Sequence, residues 1–321
     1  MLTISTATTP PRPCPPIEAA NVDRPLWQQI AWDQLELEEL AAIQRQVRAV
    51  IDAKRKLAGK QRQLERGAGM KRRLPEPLYA GRSGYRALIS QVAPAHLRAS
   101  VDKLERCMLG VSLGGSNALD FHGAKLEATV RWIAARATHC CVLVGDSLGR
   151  ISLEVREGLA PEVAKREACA LGRRYAAETE AVFRHYTTED VGFEIRYGTE
   201  YTAHKSFRPY LDEVHRLYQA DAAFRALVHS FGGEYLVRTG RSLGGGGASP
   251  SERWKHLAHE YLLEELALFA CLAEDGWPVL VYPGSIDSII EVAEGRHPSL
   301  PAPLGALGFI ALWLDAKSGG R

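Results

Sequence analysis

The stretch that decides the fold runs from Cys107 to Asp120 and reads Cys-Met-Leu-Gly-Val-Ser-Leu-Gly-Gly-Ser-Asn-Ala-Leu-Asp. An apolar run stops at Ser112, small residues follow, and a helical pattern begins near Asn117, which predicts a buried strand, a sharp turn and a helix start. Such a turn places a hydroxyl at the carboxyl edge of a sheet, beside the unpaired N–H groups of a helix N-terminus. Ser112 is therefore a candidate nucleophile for acyl transfer, with donors for a developing oxyanion nearby.

Composition is that of an ordinary globular protein, with 46% apolar residues in a chain of 321. The chain has no run of about 18 apolar residues and no basic start followed by an apolar core, so we expect neither a membrane span nor a signal peptide. Six cysteines occur without a C-x-x-C pair. This usage predicts buried thiols in a reducing cytoplasm and no metal site.

Charge is unevenly distributed, although the formal net charge is only +2. Residues 43–73 contain eleven Lys or Arg and two acids, a net charge of +9, which leaves −7 for the rest of the chain. Such asymmetry indicates a segment that faces a polyanion. A solvated helix with a basic face explains the same pattern equally well.

Three regions follow from the pattern along the chain. Residues 1–24 are rich in Pro and predict a disordered lead, and residues 25–95 predict a basic helical extension. From 96 to 321 strands and helices alternate, which predicts one α/β domain with a mostly parallel sheet covered by helices on both faces. The expected strands are 106–111, 140–144, 191–197, 278–282 and 308–314. The expected helices are 117–137, 161–186, 208–231, 252–274 and 286–293, with a glycine-rich loop at 241–251.

The turn at Ser112 supports more than one chemistry. Residues 110–114 match G-x-S-x-G, the nucleophile turn of α/β-hydrolases, and Asp275 or Asp287 followed by His297 would complete the order of that triad. However, the hundred residues before Ser112 look helical and charged, where a hydrolase has several strands. A serine in a strand–helix turn without catalysis, as in an RNA-binding Rossmann module, is the other alternative.

Two later stretches place polar groups where they need partners. Tyr261 and Glu265 are four residues apart in an apolar helical pattern, so they share a helix face. Residues 279–284, Val-Leu-Val-Tyr-Pro-Gly, predict a strand that ends in Tyr282-Pro283, which places a phenol at the carboxyl edge of a second strand. A buried Tyr and Glu require polar partners, although a solvent-facing Glu and a ring packed in the core are the simpler alternatives.

The combination of Ser112 after a Gly-Val-Ser strand, Tyr261-x-x-x-Glu265 on a late helix and Tyr282-Pro283 on the next strand resembles the tRNA-dependent cyclodipeptide synthases. The three motifs occur in the family's order and with similar spacing, between about residues 106 and 314. Gly115, rather than Asn, is the third residue after Ser112, and Pro283 follows Tyr282. The chain therefore resembles the Tyr-Pro subgroup of that family.

The resemblance implies a Rossmann-like domain similar to the catalytic domain of class I aminoacyl-tRNA synthetases. It implies that two aminoacyl-tRNAs are joined into a cyclic dipeptide, a 2,5-diketopiperazine. Ser112 would accept the first aminoacyl group as an ester, and the second aminoacyl-tRNA would then attack that ester to give a dipeptidyl enzyme that cyclises. Glu265 and Tyr261 would hold the α-ammonium, and Tyr282 would assist proton transfer. Both substrates are activated esters, so we expect no cofactor, and the chain has no P-loop or G-x-G-x-x-G fingerprint.

Pocket and tRNA contacts are also expected from family positions. Met108, Gly110, Leu268 and Leu280 could line the pocket for the first aminoacyl side chain, with core packing as the alternative. The predicted helix 161–186 carries a basic set that resembles the family's tRNA-binding helix: Lys165, Arg166, Arg173 and Arg174. Acids on the same helix make a solvated face the alternative. A monomer is favoured over a higher oligomer.

Overall fold

A computed structural model describes residues 74–79, 84–114, 116–239 and 252–316 of the chain. Contacts group residues 70–321 into one unit. The expected lead at 1–24, the expected helical extension from 25 to 73 and the glycine-rich loop at 241–251 all lie outside the described residues.

A six-stranded sheet is the centre of the unit. Its strands are β1 (Tyr85–Ala93), β2 (Leu104–Val111), β3 (Ala137–Val144), β4 (Gly192–Tyr197), β5 (Val279–Pro283) and β6 (Gly308–Ala316). They lie in the order β1-β6-β5-β2-β3-β4. Strand β1 pairs with β6 in the antiparallel sense, and the other four pairings are parallel. This is the mostly parallel sheet that the alternating pattern predicts.

The interior strands are apolar because both faces of the sheet are covered. In β2 the consecutive residues Cys107, Met108 and Leu109 are each 0% exposed, although their side chains point alternately to opposite faces. Continuous apolar runs of this kind are typical of parallel strands between two helical layers. The prediction of a buried strand that ends at Ser112 is confirmed.

Strand β1 corrects the domain boundary expected at residue 95. The sequence pattern assigns residues 85–93 to the helical extension, but in the structure they form an edge strand of the sheet. The register shifts between Ile89 and Gln91, which is a bulge that interrupts the simple alternation of a strand. Pairing with β6, more than 200 residues later, supplies the hydrogen bonds that the local pattern does not predict.

Eight α-helices occur in the described part of the chain, and two match their predicted bounds. These two are the helices predicted at 161–186 and 252–274. The helices are α1 (Gly123–Ala134), α2 (Asp146–Glu157), α3 (Pro161–Tyr186), α4 (Gly198–Thr202), α5 (Phe207–Ala220), α6 (Ala222–Arg238), α7 (Glu252–Glu274) and α8 (Asp287–Ala293). Helix α2 packs along α3 and against α7, and α5 and α6 also pack on α7.

Two helices that the sequence predicts as continuous are interrupted in the structure. The helix expected at 208–231 is divided between α5 and α6 because Asp221 is extended and caps α6, accepting hydrogen bonds from Ala223 N and Phe224 N at 2.8 and 2.9 Å. The helix expected at 117–137 is a 3₁₀ turn over Ser116–Phe121 followed by α1, because His122 has an extended backbone. Helix α2 was not predicted.

A buried carboxylate attaches the segment before β1 to the helical layer. Glu127 on α1 is only 3% exposed. It accepts hydrogen bonds from the backbone N–H groups of Leu78 and Tyr79 and from the Tyr186 hydroxyl on α3, the last two at 3.0 and 2.8 Å. Carboxylates that accept several donors make strong, charge-assisted hydrogen bonds. Glu127 therefore connects residues 78 and 79 to α1 and α3.

We expect Glu127→Gln to lower the free energy of unfolding by about 1–3 kcal/mol, because the amide has one acceptor oxygen where two are used. Urea unfolding followed by circular dichroism measures the change. Glu180→Gln is the matched control, since Glu180 forms an exposed pair with Arg184 and should contribute less than about 0.5 kcal/mol. Equal stability of the two variants would contradict this role for Glu127.

Candidate active site

A cavity of about 560 Å³, counted out to its open mouth, lies where β2 and β5 end. All four residues predicted to be catalytic line it, and they come from three elements: Ser112 follows β2, Tyr282 is on β5, and Tyr261 and Glu265 are on α7. The other lining residues are Gly114, Ser152, Phe231, Tyr235, Arg238, Thr239 and Ile286.

Ser112 occupies the turn directly after β2. Its hydroxyl donates a hydrogen bond to the carbonyl oxygen of Gly114 at 2.9 Å, which holds the side chain in the turn. The neighbouring strand β3 also turns here, and Gly145 N donates to Val111 O at 3.0 Å. A Cβ atom at position 145 would lie 2.9 Å from that carbonyl oxygen, so this turn needs glycine. The two turns together place Ser112 at the edge of the cavity.

Tyr261 and Glu265 lie one turn apart on the face of α7 that lines the cavity. The Tyr261 ring packs against the rings of Tyr235 and Phe231 on α6, with centroids 4.8 and 5.9 Å away. Helix α6 approaches α7 closely because Gly232 has no side chain, and a Cβ atom there would lie 2.6 Å from His259. The aromatic contacts determine the position of the Tyr261 phenol.

Glu265 is the carboxylic acid among the described lining residues, and its pKa is shifted far from the ordinary value. Burial raises its pKa to about 8, and the Arg238 guanidinium opposes that rise. Its Oε2 atom is buried and has no hydrogen-bond partner among the described residues. Burial and the neighbouring Glu265 also raise the pKa of Tyr261 well above its usual value, so this phenol stays protonated. Among the described lining residues, Glu265 is therefore the carboxyl whose pKa lies close to neutral pH.

Tyr282 is placed by its contacts with Phe121 and Gly110. The Phe121 ring packs edge-on against it, with centroids 5.6 Å apart. A Cβ atom on Gly110 would lie 3.3 Å from Leu280 Cδ1 and 3.9 Å from Tyr282 Cδ2. Gly110 thus leaves the room that the Leu280 side chain and the Tyr282 ring fill.

Ser152, Tyr235 and Arg238 also line the cavity but have no signal in the sequence. The hydroxyls of Ser152 and Tyr235 are 2.8 Å apart. Ser152 is on α2, which was not predicted, and the other two lie beyond residue 231, where the predicted helix stops. No short motif contains these residues, so only the packing of α2 and α6 against α7 identifies them.

Ion pairs hold α2 against the helix that carries Glu265. Arg150 on α2 contacts the Glu264 carboxylate on α7 and lies 3.5 Å from Glu154 on its own helix. Arg253 on α7 forms an ion pair with Glu154, with 3.3 Å between Nη2 and Oε2. Glu154 is 4% exposed, so these pairs are shielded from solvent on one side. They link the Ser152 and Glu265 sides of the cavity.

The four residues expected to line a side-chain pocket do not line this cavity. Met108, Leu268 and Leu280 are each 0% exposed and belong to the core, and Met108 is the register partner of Leu280 across β2 and β5. Gly110 lies beside Tyr282. Their role in binding an aminoacyl side chain stays a prediction.

The basic set on α3 lies at the surface. Lys165, Arg166, Arg173 and Arg174 are all exposed, and so are the acids Glu162, Glu167 and Glu178 on the same helix. Helix α3 buries its opposite side, which includes Ala164, Ala168 and Gly172. A nucleic-acid contact by this set stays a prediction.

The hydrolase triad is not assembled around Ser112. His297 packs on the Phe224 ring, 5.4 Å between centroids, and Asp275 pairs with His204 at 3.6 Å. Neither they nor Asp287 line the cavity, and the described lining residues include no histidine.

Residues 74–79, 84–114, 116–239 and 252–316 contain no group of His, Cys, Asp and Glu suited to a metal ion. Among the helices in these ranges none is long and apolar enough to cross a membrane.

The sheet and its strand-end cavity define a Rossmann-like α/β protein with a serine, phenols and one buried carboxyl in a common site. Residues 90–273, more than half of the chain, match the family model described as cyclodipeptide synthase. The chain therefore belongs to the cyclodipeptide synthases, which are tRNA-dependent aminoacyltransferases that make cyclic dipeptides. Its sequence matches no curated protein. Membership of the Tyr-Pro subgroup stays a prediction.

Solved structures of the same family share the fold. A cyclodipeptide synthase from Fluoribacter dumoffii is 20% identical, with a TM-score of 0.59 over 73% of this chain and 99% of that one. One from Candidatus Glomeribacter gigasporarum, bound to Phe-tRNAPhe, is 17% identical, with a TM-score of 0.52 over 72% and 96%. A Mycobacterium tuberculosis structure (14% identical, TM-score 0.54, 78% and 100% covered) is reported to relate cyclodipeptide synthetases to type I tRNA synthetases. The Rossmann-like prediction is confirmed.

We expect Glu265→Gln to stabilise the protein at alkaline pH. The folded state binds the Glu265 proton more tightly than the unfolded chain, so stability falls as pH rises from the ordinary carboxyl pKa of 4.5 to about 8. Urea unfolding at about pH 6 and about pH 9 should show a wild-type loss, absent in the variant, of about 1–3 kcal/mol. Glu252→Gln, an exposed change on the same helix, should keep that loss. Identical pH dependence in Glu265→Gln and wild type would contradict the prediction.

Proposed function

We propose that the chain joins two aminoacyl groups into a 2,5-diketopiperazine through an aminoacyl-serine and a dipeptidyl-serine on Ser112. The observation that supports this most directly is the convergence of Ser112, Tyr261, Glu265 and Tyr282 on one cavity. A nucleophile, a carboxylate and phenols are the groups that a covalent transfer between esters of an amino acid requires.

The first step exchanges one ester for another. Ser112 Oγ attacks the carbonyl carbon of an aminoacyl-tRNA, the bond to the ribose oxygen breaks, and the serine proton goes to that oxygen. The Tyr282 phenol, in the same cavity, is the group that we assign to this proton transfer. Because both sides are esters, the step needs no ATP, and in this proposal the Tyr282 phenol moves the serine proton that a histidine moves in a hydrolase triad.

Atom balance determines the direction of the second step. If the second amine attacked the serine ester, as the sequence interpretation has it, the dipeptide would leave on the tRNA, so that order of attack is wrong. The amine of the Ser112-bound aminoacyl group must therefore attack the ester of the second aminoacyl-tRNA, release that tRNA and leave a dipeptide on Ser112. The new terminal amine then attacks the serine ester, which closes the six-membered ring and returns the proton to Ser112.

Glu265 suits both the binding and the activation of the amine. As a carboxylate it pairs with the α-ammonium, together with the Tyr261 hydroxyl. Attack requires a neutral amine, so the ammonium proton must leave. A carboxyl whose pKa is raised to about 8 is close to that of an α-amine, about 7.7–8.0, and the proton can pass between them at little cost.

We expect Ser112→Ala to lower the yield of diketopiperazine by at least about 100-fold, because the covalent acceptor is lost. Mass spectrometry of the culture medium of an expressing bacterium measures the product, and intact-protein mass spectrometry measures the acyl enzyme. Ser285→Ala, an exposed serine outside the cavity, is the control. Product formation by Ser112→Ala, or release of free amino acid alone by wild type, would overturn the proposal.

Aminoacyl-tRNA is the proposed substrate, and the exposed basic set on α3 is its proposed contact. The G. gigasporarum family member is described as bound to Phe-tRNAPhe. Lys165, Arg166, Arg173 and Arg174 are exposed and lie on the helix that packs along α2, which carries Ser152 of the cavity. Phosphate contacts by such residues raise affinity and make it dependent on salt.

We expect Arg173→Gln/Arg174→Gln to raise the KM for aminoacyl-tRNA several-fold and to reduce the slope of log(kcat/KM) against log(salt) by about one per lost phosphate contact. Steady-state kinetics over a salt series measures both. Arg208→Gln/Arg216→Gln on α5 removes the same charge from another exposed surface and should change neither. An equal effect of both double variants would show that only net charge matters.

A further inference from the structure

The cavity contains two charged side chains among its described lining residues, Glu265 and Arg238. Glu265 is in the middle of α7, and Arg238 is the last residue of α6. The other lining groups are hydroxyls, phenols, glycine or apolar side chains. Arg238 is therefore the described cation that shares the cavity with the carboxyl proposed to bind the amine.

The Arg238 side chain is held by its own helix. Its guanidinium lies over the Phe231 ring, 5.7 Å from the centroid, and its Nη1 atom is 3.7 Å from Glu234 Oε2. The Phe231 ring in turn packs against Tyr261, at 5.9 Å between centroids. Contacts from one face of α6 thus hold a positive charge beside the cavity wall formed by Tyr261 and Glu265.

Among the described lining residues, no group other than Arg238 supplies a compensating charge to Glu265. Arg156 on α2 lies near Gly114, at the Ser112 side of the cavity, and is not among the lining residues. Tyr261 comes from the same helix as Glu265, Tyr235 from α6 and Tyr282 from β5. Burial raises the pKa of Tyr235 to about 12 and that of Tyr261 well above its usual value, so both phenols are neutral. Glu265 Oε2 accepts no hydrogen bond from the described residues. A buried carboxylate oxygen without a donor is costly unless a cation stands near it or a ligand pairs with it.

We propose that Arg238 is a positioning residue for the reaction, whose guanidinium favours the ionised form of Glu265, the form that pairs with the α-ammonium of the aminoacyl group. This inference rests on the proposed function of the cavity. Arg238 need not touch the substrate, because its charge acts across the cavity on the group that does.

The direction of the effect follows from charge alone. A neighbouring cation favours the ionised form of a carboxyl, whereas burial favours the neutral form. Without Arg238 the Glu265 pKa rises above its value of about 8, and more of the enzyme is protonated at neutral pH. A protonated carboxyl neither pairs with an ammonium nor accepts its proton. Loss of Arg238 should therefore cost activity at neutral pH and little at alkaline pH.

The test measures kcat/KM for diketopiperazine formation between about pH 6 and about pH 9 in wild type, Arg238→Gln, Arg238→Lys and Arg208→Gln. In Arg238→Gln we expect the acid limb to move up by about one pH unit, with roughly tenfold lower activity near pH 7 and recovery near pH 9. Arg238→Lys should retain most of the wild-type profile. Arg208→Gln, an exposed change on α5, should follow wild type.

A second measurement gives the protonation state of the Glu265 carboxyl in the absence of substrate turnover. The carbonyl infrared band of protonated Glu265 is identified by its loss in Glu265→Gln and is titrated in wild type and Arg238→Gln. A higher midpoint in Arg238→Gln supports the inference. An unshifted midpoint overturns the inference. A loss of activity that is equal at every pH also overturns it, because it indicates a structural role for Arg238. A loss of activity that depends on salt concentration overturns it as well, because it indicates that Arg238 contacts a phosphate.

The two proposals fail separately. If wild type makes no diketopiperazine while the infrared midpoint shifts as expected, the proposed function is wrong and the charge coupling of Arg238 to Glu265 is retained. If wild type makes the product and Arg238→Gln shows neither a shifted acid limb nor a shifted midpoint, the role of Arg238 is wrong and the function of the cavity is unaffected.

Discussion

The parallel pairing of β2 with β5 is the constraint on which the cavity depends. Met108 and Leu109 are the register partners of Leu280 and Val281, although they are separated by more than 170 residues along the chain. Parallel strands end at the same edge of a sheet, so this pairing brings Ser112 and Tyr282 to one place. The pairing needs fully buried strands, and the apolar runs of β2 and β5 meet that need on both faces.

Helix α7 supplies the other half of the cavity, and its position is determined by neighbours rather than by the sheet alone. Ion pairs connect it to α2 through Arg150 and Arg253, and the aromatic cluster around Tyr261 connects it to α6. These contacts carry a cost, because they help to bury the Glu265 carboxyl without a donor for one of its oxygens. A buried carboxyl oxygen without a donor lowers the stability of the protein, and buried groups with strongly shifted pKa values are concentrated at functional sites.

Local pattern was a good guide where one element is regular over its whole length. Helices α3 and α7 begin and end where their apolar periodicity does, with Pro161 at the first position of α3. It failed where a single residue interrupts an element or a distant partner completes it. Asp221 divides one apparent helix into two, and β1 is a strand because β6 pairs with it. The four residues that the family resemblance predicts to be catalytic share the cavity, whereas Met108, Leu268 and Leu280 lie in the core.

The amino-acid sequence by itself determined the α/β class of the fold and where each candidate residue lies on its own element. A strand that ends in Ser112 and a helix with Tyr261 and Glu265 on one face follow from periods of two and 3.6 residues. Only the tertiary structure decided which further groups share the cavity. Ser152, Tyr235 and Arg238 enter it through the packing of α2 and α6 on α7. The raised pKa of Glu265 has the same origin, because the exclusion of water around a carboxyl depends on neighbours far away in the chain.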